Sequence, residues 1–127
     1  MKKASLLYSL LFLLCLQNPL LAQEDQSRGD LFHVLLLQWN EDADSAQQAA
    51  ILDLFRNLPT KIDGFEQAKL IRPIRANKGH ELVIIMSFKS QAALDVYQNH
   101  PDHLKIKKLA LPLLKDLTKY DYWERES

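Results

Sequence analysis

Three of the four histidines in this chain stand where an imidazole can act. His33 lies alone on an apolar stretch, Leu31-Phe32-His33-Val34-Leu35. His100 and His103 flank a proline in Tyr97-Gln98-Asn99-His100-Pro101-Asp102-His103. A neutral imidazole takes or gives a proton near pH 7, and a second His or a Tyr beside it can orient it or stabilise developing oxyanion charge. Proton abstraction next to a carbonyl, as in an aldol cyclisation, needs no cofactor beyond such a set. A structural alternative stands beside this. His33 can be a core histidine satisfied by one hydrogen bond, and His103 can cap or orient the helix after Pro101. His100, Asp102 and His103 also offer metal-ligand types, but a proline turn does not preset their geometry and a catalytic zinc site usually needs three protein ligands. No metal and no cofactor is expected. His80, beside Gly79, reads most simply as a turn residue.

The elements that must position these groups follow from periodicity. Leu31 to Trp39 is an apolar run too short for a typical helix and ended by Asn40-Glu41-Asp42, hence a first strand. Asp44 or Ser45 can cap the next helix, with Gln47 or Gln48 completing a capping box. Ile51, Leu54, Phe55 and Leu58 then make an apolar stripe, which Pro59 stops. Asp63-Gly64 is a turn, and Phe65 to Arg75 reads as a second strand that Pro73 confines to an edge or bulge. Asn77-Lys78-Gly79 predicts a tight hairpin into a third strand, Glu81 to Phe88. Ser90 caps a helix carrying Ala93, Leu94 and Tyr97. Pro101 starts another at its favoured first position, with Leu104, Leu109 and Leu113 as its apolar residues. Thr118 to Glu124 alternates aromatic and charged residues as a fourth strand, in which Tyr120, Tyr122 and Trp123 serve packing. The order β-α-β-β-α-β is the ferredoxin-like split arrangement, an α+β fold with helices on one face of a four-stranded antiparallel sheet.

Composition bounds the rest. Lys2 and Lys3 followed by the Leu-rich run Ala4 to Leu16 and by Leu20-Leu21-Ala22 have the order of a secretory signal peptide over 1–22. The run is short for a membrane span, and Leu14 precedes Cys15 where a lipoprotein signal wants a small residue. Cleavage after Ala22 leaves 105 of the 127 residues, with formal charge −2 and no cysteine. The expectation is one exported domain over 31–124, periplasmic or secreted, with a flexible leader over 23–30 and a short tail over 125–127. Arg28-Gly29-Asp30 in the leader reads as chance. The charge gives no reason to expect nucleic acid as a partner, and none to expect a membrane once the signal is cut. Lys105, Lys107 and Lys108 read as a solvated helix face.

Both faces of the first and third strands are apolar, unlike strands with one face in water. Helices cover only one. Phe32, Val34 and Leu36 would otherwise form a patch that soluble monomers rarely keep, so a second copy should meet that face.

His33-Val34-Leu35-Leu36, the His-Pro-x-His run and the closing Tyr120-Asp121-Tyr122 together resemble the Dabb family of stress-responsive dimeric α/β-barrel proteins. The similarity runs from about Leu31 to Trp123. It implies a homodimer of ferredoxin-like subunits with sheets together as a barrel and helices outside. Most of the family has no assigned reaction. A plant polyketide cyclase of the family, olivetolic acid cyclase, uses a strand-one histidine and the second histidine of His-Pro-x-His in a pocket between sheet and helices. By that resemblance the catalytic candidates are His33 and His103, with Tyr97 as a pocket hydrogen-bond donor. A further tyrosine of that enzyme falls at Phe55, so that phenol is absent here. Two functions are therefore expected as alternatives: a stress-response dimer that binds a small molecule, or a cofactor-independent acid/base enzyme.

Overall fold

A computed structural model describes residues 29–124, so the expected signal peptide, most of the leader and the tail lie outside the described residues. β1 (Leu31–Trp39) is followed by α1 (Ser45–Asn57) and a 3₁₀ turn at Leu58–Thr60. β2 (Phe65–Ile71) and β3 (Leu82–Phe88) come next. Then α2 (Gln91–Asn99), α3 (Pro101–Ala110), a second 3₁₀ turn at Leu111–Leu113 and β4 (Leu114–Trp123) complete the chain. The sheet is antiparallel throughout in the order β2-β3-β1-β4, the ferredoxin-like arrangement.

Local chemistry explains each join. Asp44 accepts from the Gln47 backbone N–H at 2.8 Å while the Gln47 side chain returns to the Asp44 N–H, which is the reciprocal capping box. Pro59 ends α1 by tightening the chain into the 3₁₀ turn. Gly64 has φ +78°, and a Cβ there would meet the Ala93 Cβ at 2.9 Å, so only glycine lets β2 start under α2. Ser90 caps α2 through the Ala93 N–H.

β1 is buried at every second residue, and this period of two sorts the sheet. Leu31, His33, Leu35, Leu37 and Trp39 face the helices, with Leu82, Ile84, Met86 and Phe88 beside them. Ile51, Leu52, Phe55 and Leu58 of the first helical segment close over them with Leu94, Tyr97 and Ile106. Phe65, Phe88 and Tyr97 form an aromatic cluster with centroids 4.3 to 5.5 Å apart, within the favourable range for tilted and edge-on rings. The other face presents Phe32, Val34, Leu36, Val83 and Ile85, with Phe32 stacked on Tyr122 at 5.1 Å. Tyr120 and Tyr122 on that face are 57% and 48% exposed.

Four expectations are corrected. β2 ends at Ile71, and the link to the antiparallel β3 is the longer loop 72–81, within which Asn77 and Lys78 form a turn closed by the Gly79 N–H on the Ala76 carbonyl. Pro73 cannot donate to the ladder, which ends the strand before it. In α3 the buried residues are Ile106 and Ala110, while Leu104 and Leu109 are half exposed. The spacing of five between Leu104 and Leu109 is off the helical repeat, whereas 103, 106 and 110 fall on one stripe. β4 begins at Leu114, four residues before Thr118, where the alternation of aromatic and charged residues predicts its start. His80 is no simple turn residue: its Nε2 pairs with Asp116 at 2.7 Å and its side chain is largely buried.

Candidate active site

His33 enters the core because its strand does. Its neighbours at two-residue spacing are buried, so the imidazole is carried inward with them and is only 7% exposed. A buried ring N–H needs an acceptor. β4 provides one through register: Asp121 stands opposite His33, and its Oδ1 contacts His33 Nδ1. A carboxylate there accepts from Nδ1–H and leaves the Nε2 lone pair free. Among the described residues Nε2 has no protein partner.

The His-Pro-x-His run divides its work between the two imidazoles. His100 is the residue shared by two helices, last cap of α2 and first cap of α3, and its Nδ1 accepts from the Asp102 N–H at 3.1 Å. Pro101 at the first helical position has no N–H to leave unsatisfied there. His103 therefore does not cap α3 and is held instead by the last turn of α2. Its Nδ1 lies 3.0 Å from the Gln98 carbonyl, to which it donates. Both His33 and His103 thus spend Nδ1–H on the protein and keep Nε2 as a basic site.

Tyr97 stands between them, with ring centroids 4.2 Å from His103 and 5.8 Å from His33. The three share a cavity of about 280 Å³ walled by Leu35, Leu37, Phe55, Ile106 and Leu117, with Lys107 and Lys119 also lining it. The sequence candidates His33, His103 and Tyr97 are thus brought together on the helix side of the sheet, and Phe55 occupies the wall at the position lacking a phenol. Asp121, Lys107 and Lys119 were not among the candidates. The alternation of β4 holds the signal for Asp121 and Lys119, which share a face at two-residue spacing, but only the β1 register says which face.

The electrostatics of the cavity are one-sided. Tyr97 is fully buried and its hydroxyl is without a hydrogen-bond partner among the described residues. Burial, aided by the negative charge of Asp121, pushes its pKa well above the ordinary value, so it stays a protonated donor. His103 is pushed the other way. Burial lowers its pKa, the bond to Gln98 opposes this, and Lys107, His33 and Lys119 add to the lowering. His103 is a neutral imidazole at pH 7. Among the described residues, no group of three or more His, Cys, Asp or Glu is placed to hold a metal ion.

The orphan hydroxyl gives a direct prediction. Tyr97→Phe removes a buried polar group with no partner and should stabilise the fold by about 1 kcal/mol. The margin should widen above pH 10, where the unfolded tyrosine ionises before the folded one and the native protein loses stability that the Phe variant keeps. Urea unfolding at pH 7 and pH 10.5 measures both. A loss of stability at pH 7 would mean that the hydroxyl is satisfied.

Comparison with known proteins places this architecture. The family model described as the stress responsive A/B barrel domain, Dabb, matches residues 31–124. The chain belongs to the Dabb family. Solved structures agree on the fold. A Dabb protein with a ferredoxin-like fold from Mesorhizobium loti has a TM-score of 0.65 at 21% identity, covering 77% of this chain and 99% of its own. A dimeric ferredoxin-like protein of unknown function from Thermobifida fusca gives 0.67 at 19% identity, covering 76% and 93%. The hydroxynitrile lyase of Passiflora edulis gives 0.72 at 15% identity, covering 79% and 97%. Among curated protein sequences none matches this chain. At these identities the solved structures bear on fold alone. What this Dabb chain does must be argued from its own cavity.

Proposed function

We propose that this Dabb protein binds a small carbonyl-containing molecule between its sheet and its helices, as an exported homodimer. The observation that carries this is the Tyr97 hydroxyl, buried and partnerless in a cavity wall. A buried donor without an acceptor costs about 1–3 kcal/mol, which a ligand oxygen in the cavity recovers. The apolar open face supports the homodimer, as do the solved ferredoxin-like relatives described as dimeric. Export rests on the charge and hydropathy order of residues 1–22.

A second reading, acid/base catalysis, is favoured by one further observation: both imidazoles have Nδ1 engaged and Nε2 free. In that reading His33 takes a proton from the carbon beside the carbonyl, and Asp121 stabilises the imidazolium that results. Tyr97 donates to the oxygen on which negative charge develops. His103 packs in the cavity wall beside Tyr97, where it contacts the ligand body and its Nε2 can accept from any hydroxyl the ligand carries. A hydroxynitrile lyase with this fold is consistent with chemistry at a carbonyl carbon.

The test uses 4-phenyl-2-butanone. Its binding to the mature protein is followed by NMR, and exchange of its α-protons with D₂O is timed in the same tube. Binding should weaken in both His33→Ala and His103→Ala, and exchange should vanish in His33→Ala. Affinity unchanged in both variants would overturn the shared cavity. Binding without exchange in the unaltered protein would leave the first reading and remove the second.

A further inference from the structure

We infer that the preferred ligand is an organic monoanion, a carboxylate carried on an apolar body, held at the cavity mouth by Lys107 and Lys119. The inference rests on the binding role proposed above and names the class of molecule. Lys107 lies one turn beyond His103 on α3, so the two side chains are neighbours on one helix face. Lys119 lies opposite Leu35 on the helix-facing row of β4, two residues before Asp121. The two residues therefore line the same cavity, one from a helix and one from a strand. Both residues are exposed overall while lining the cavity, as expected for side chains whose stems line a wall and whose heads reach water. Neither has an ion-pair partner among the described residues.

Charge balance selects the anion. Two lysines line the cavity, and the nearest carboxylate, Asp121 behind His33, is already engaged by that imidazole. One further negative charge completes the set. A phosphate monoester carries nearly two charges at pH 7 and would leave an excess. The interior offers Leu35, Phe55, Ile106 and Leu117, so the rest of the ligand must be apolar. The acidic head then stays at the rim in partial contact with water, where a charge-assisted hydrogen bond forms without full desolvation.

A matched pair of probes tests this, octanoate and octanamide, titrated by calorimetry and by NMR into the mature protein at pH 7.5. Octanoate should bind more tightly by about tenfold or more, the difference expected for hydrogen bonds to a charged group. The preference should shrink in raised salt, disappear in the Lys107→Met/Lys119→Met variant and return in Lys107→Arg/Lys119→Arg. Equal affinity for the two probes would overturn the carboxylate assignment while leaving a ligand cavity. Octanoate bound with unchanged preference in the double Met variant would overturn the role of the lysines. Absence of octanoate binding alongside binding of 4-phenyl-2-butanone would overturn this inference alone, and absence of both would overturn the binding role as well.

Discussion

Asp121→Asn should slow α-proton exchange by about 10²–10⁴-fold, with ligand affinity held within about threefold. The reason lies in which nitrogen of His33 carries the proton. The carboxylate accepts from Nδ1 and so leaves Nε2 as a base facing the cavity. An amide offers either oxygen or N–H. When it donates to Nδ1, the ring must carry its proton on Nε2, and the base is lost. When it accepts, it still supplies no negative charge to stabilise the imidazolium. In the proposed binding mode Tyr97, His103 and the walls hold the ligand, and this change leaves them in place. Stability should move little, because Asp121 is half exposed and its contribution is screened by solvent. The acid limb of the rate profile should lie below pH 6.5 so far as His103 sets it, since that imidazole is held neutral by burial. Its neutral form contributes stability that is present above 6.5 and is lost as pH falls through the lowered folded value. A variant that exchanges at the full rate would reduce His33 to a core histidine with one good partner.

Much of this site was legible before any fold was known, and the reason is periodicity. Strands of period two tie His33 to the burial of Leu31 and Leu35, and a helix that ends at His100 places Tyr97 one turn earlier on its buried face. Pro101 marks the helix start, since only the first position tolerates its missing N–H. Asp121 was not legible, because its role depends on a pairing 88 residues distant in the chain. An alternating strand announces two faces without saying which one is covered. Lys107 and Lys119 illustrate the same limit from the opposite side. Charged residues read as solvated, and these are, yet each also lines a cavity. The errors in α3 share that origin: Leu104 and Leu109 were chosen for being leucines, while the stripe set by His103 chooses Ile106 and Ala110. Likewise the loop 72–81 contains a Gly with φ +75°, but a turn residue alone does not say how long the surrounding loop is.

Val34→Asp should turn the protein from dimer to monomer, weakening self-association by about a thousandfold or more. Val34 lies at the middle of the open face, opposite Ile85 on one side and Tyr120 on the other. Phe32 and Leu36 flank it along β1. A carboxylate here is harmless in a lone subunit, where water reaches it. Against a second sheet it is a buried charge among apolar side chains, and a two-fold pair buries two of them. On this face Lys69 lies two strands away on the sheet edge, while Arg75 and Lys78 line a pocket beside Leu36 and Tyr120. Sedimentation velocity over a range of concentrations measures the change, with Val34→Leu as the variant that should keep the dimer and circular dichroism to confirm folding. Val34→Asp sedimenting as a dimer at the same concentrations as the unaltered protein would show that another surface joins the subunits. The same variant separates the two sides of the sheet. Val34 and His33 are adjacent in sequence, but their side chains point to opposite faces. A folded Val34→Asp monomer that still binds the cavity probe would place ligand recognition within one subunit; loss of binding on dissociation would make the partner part of the site.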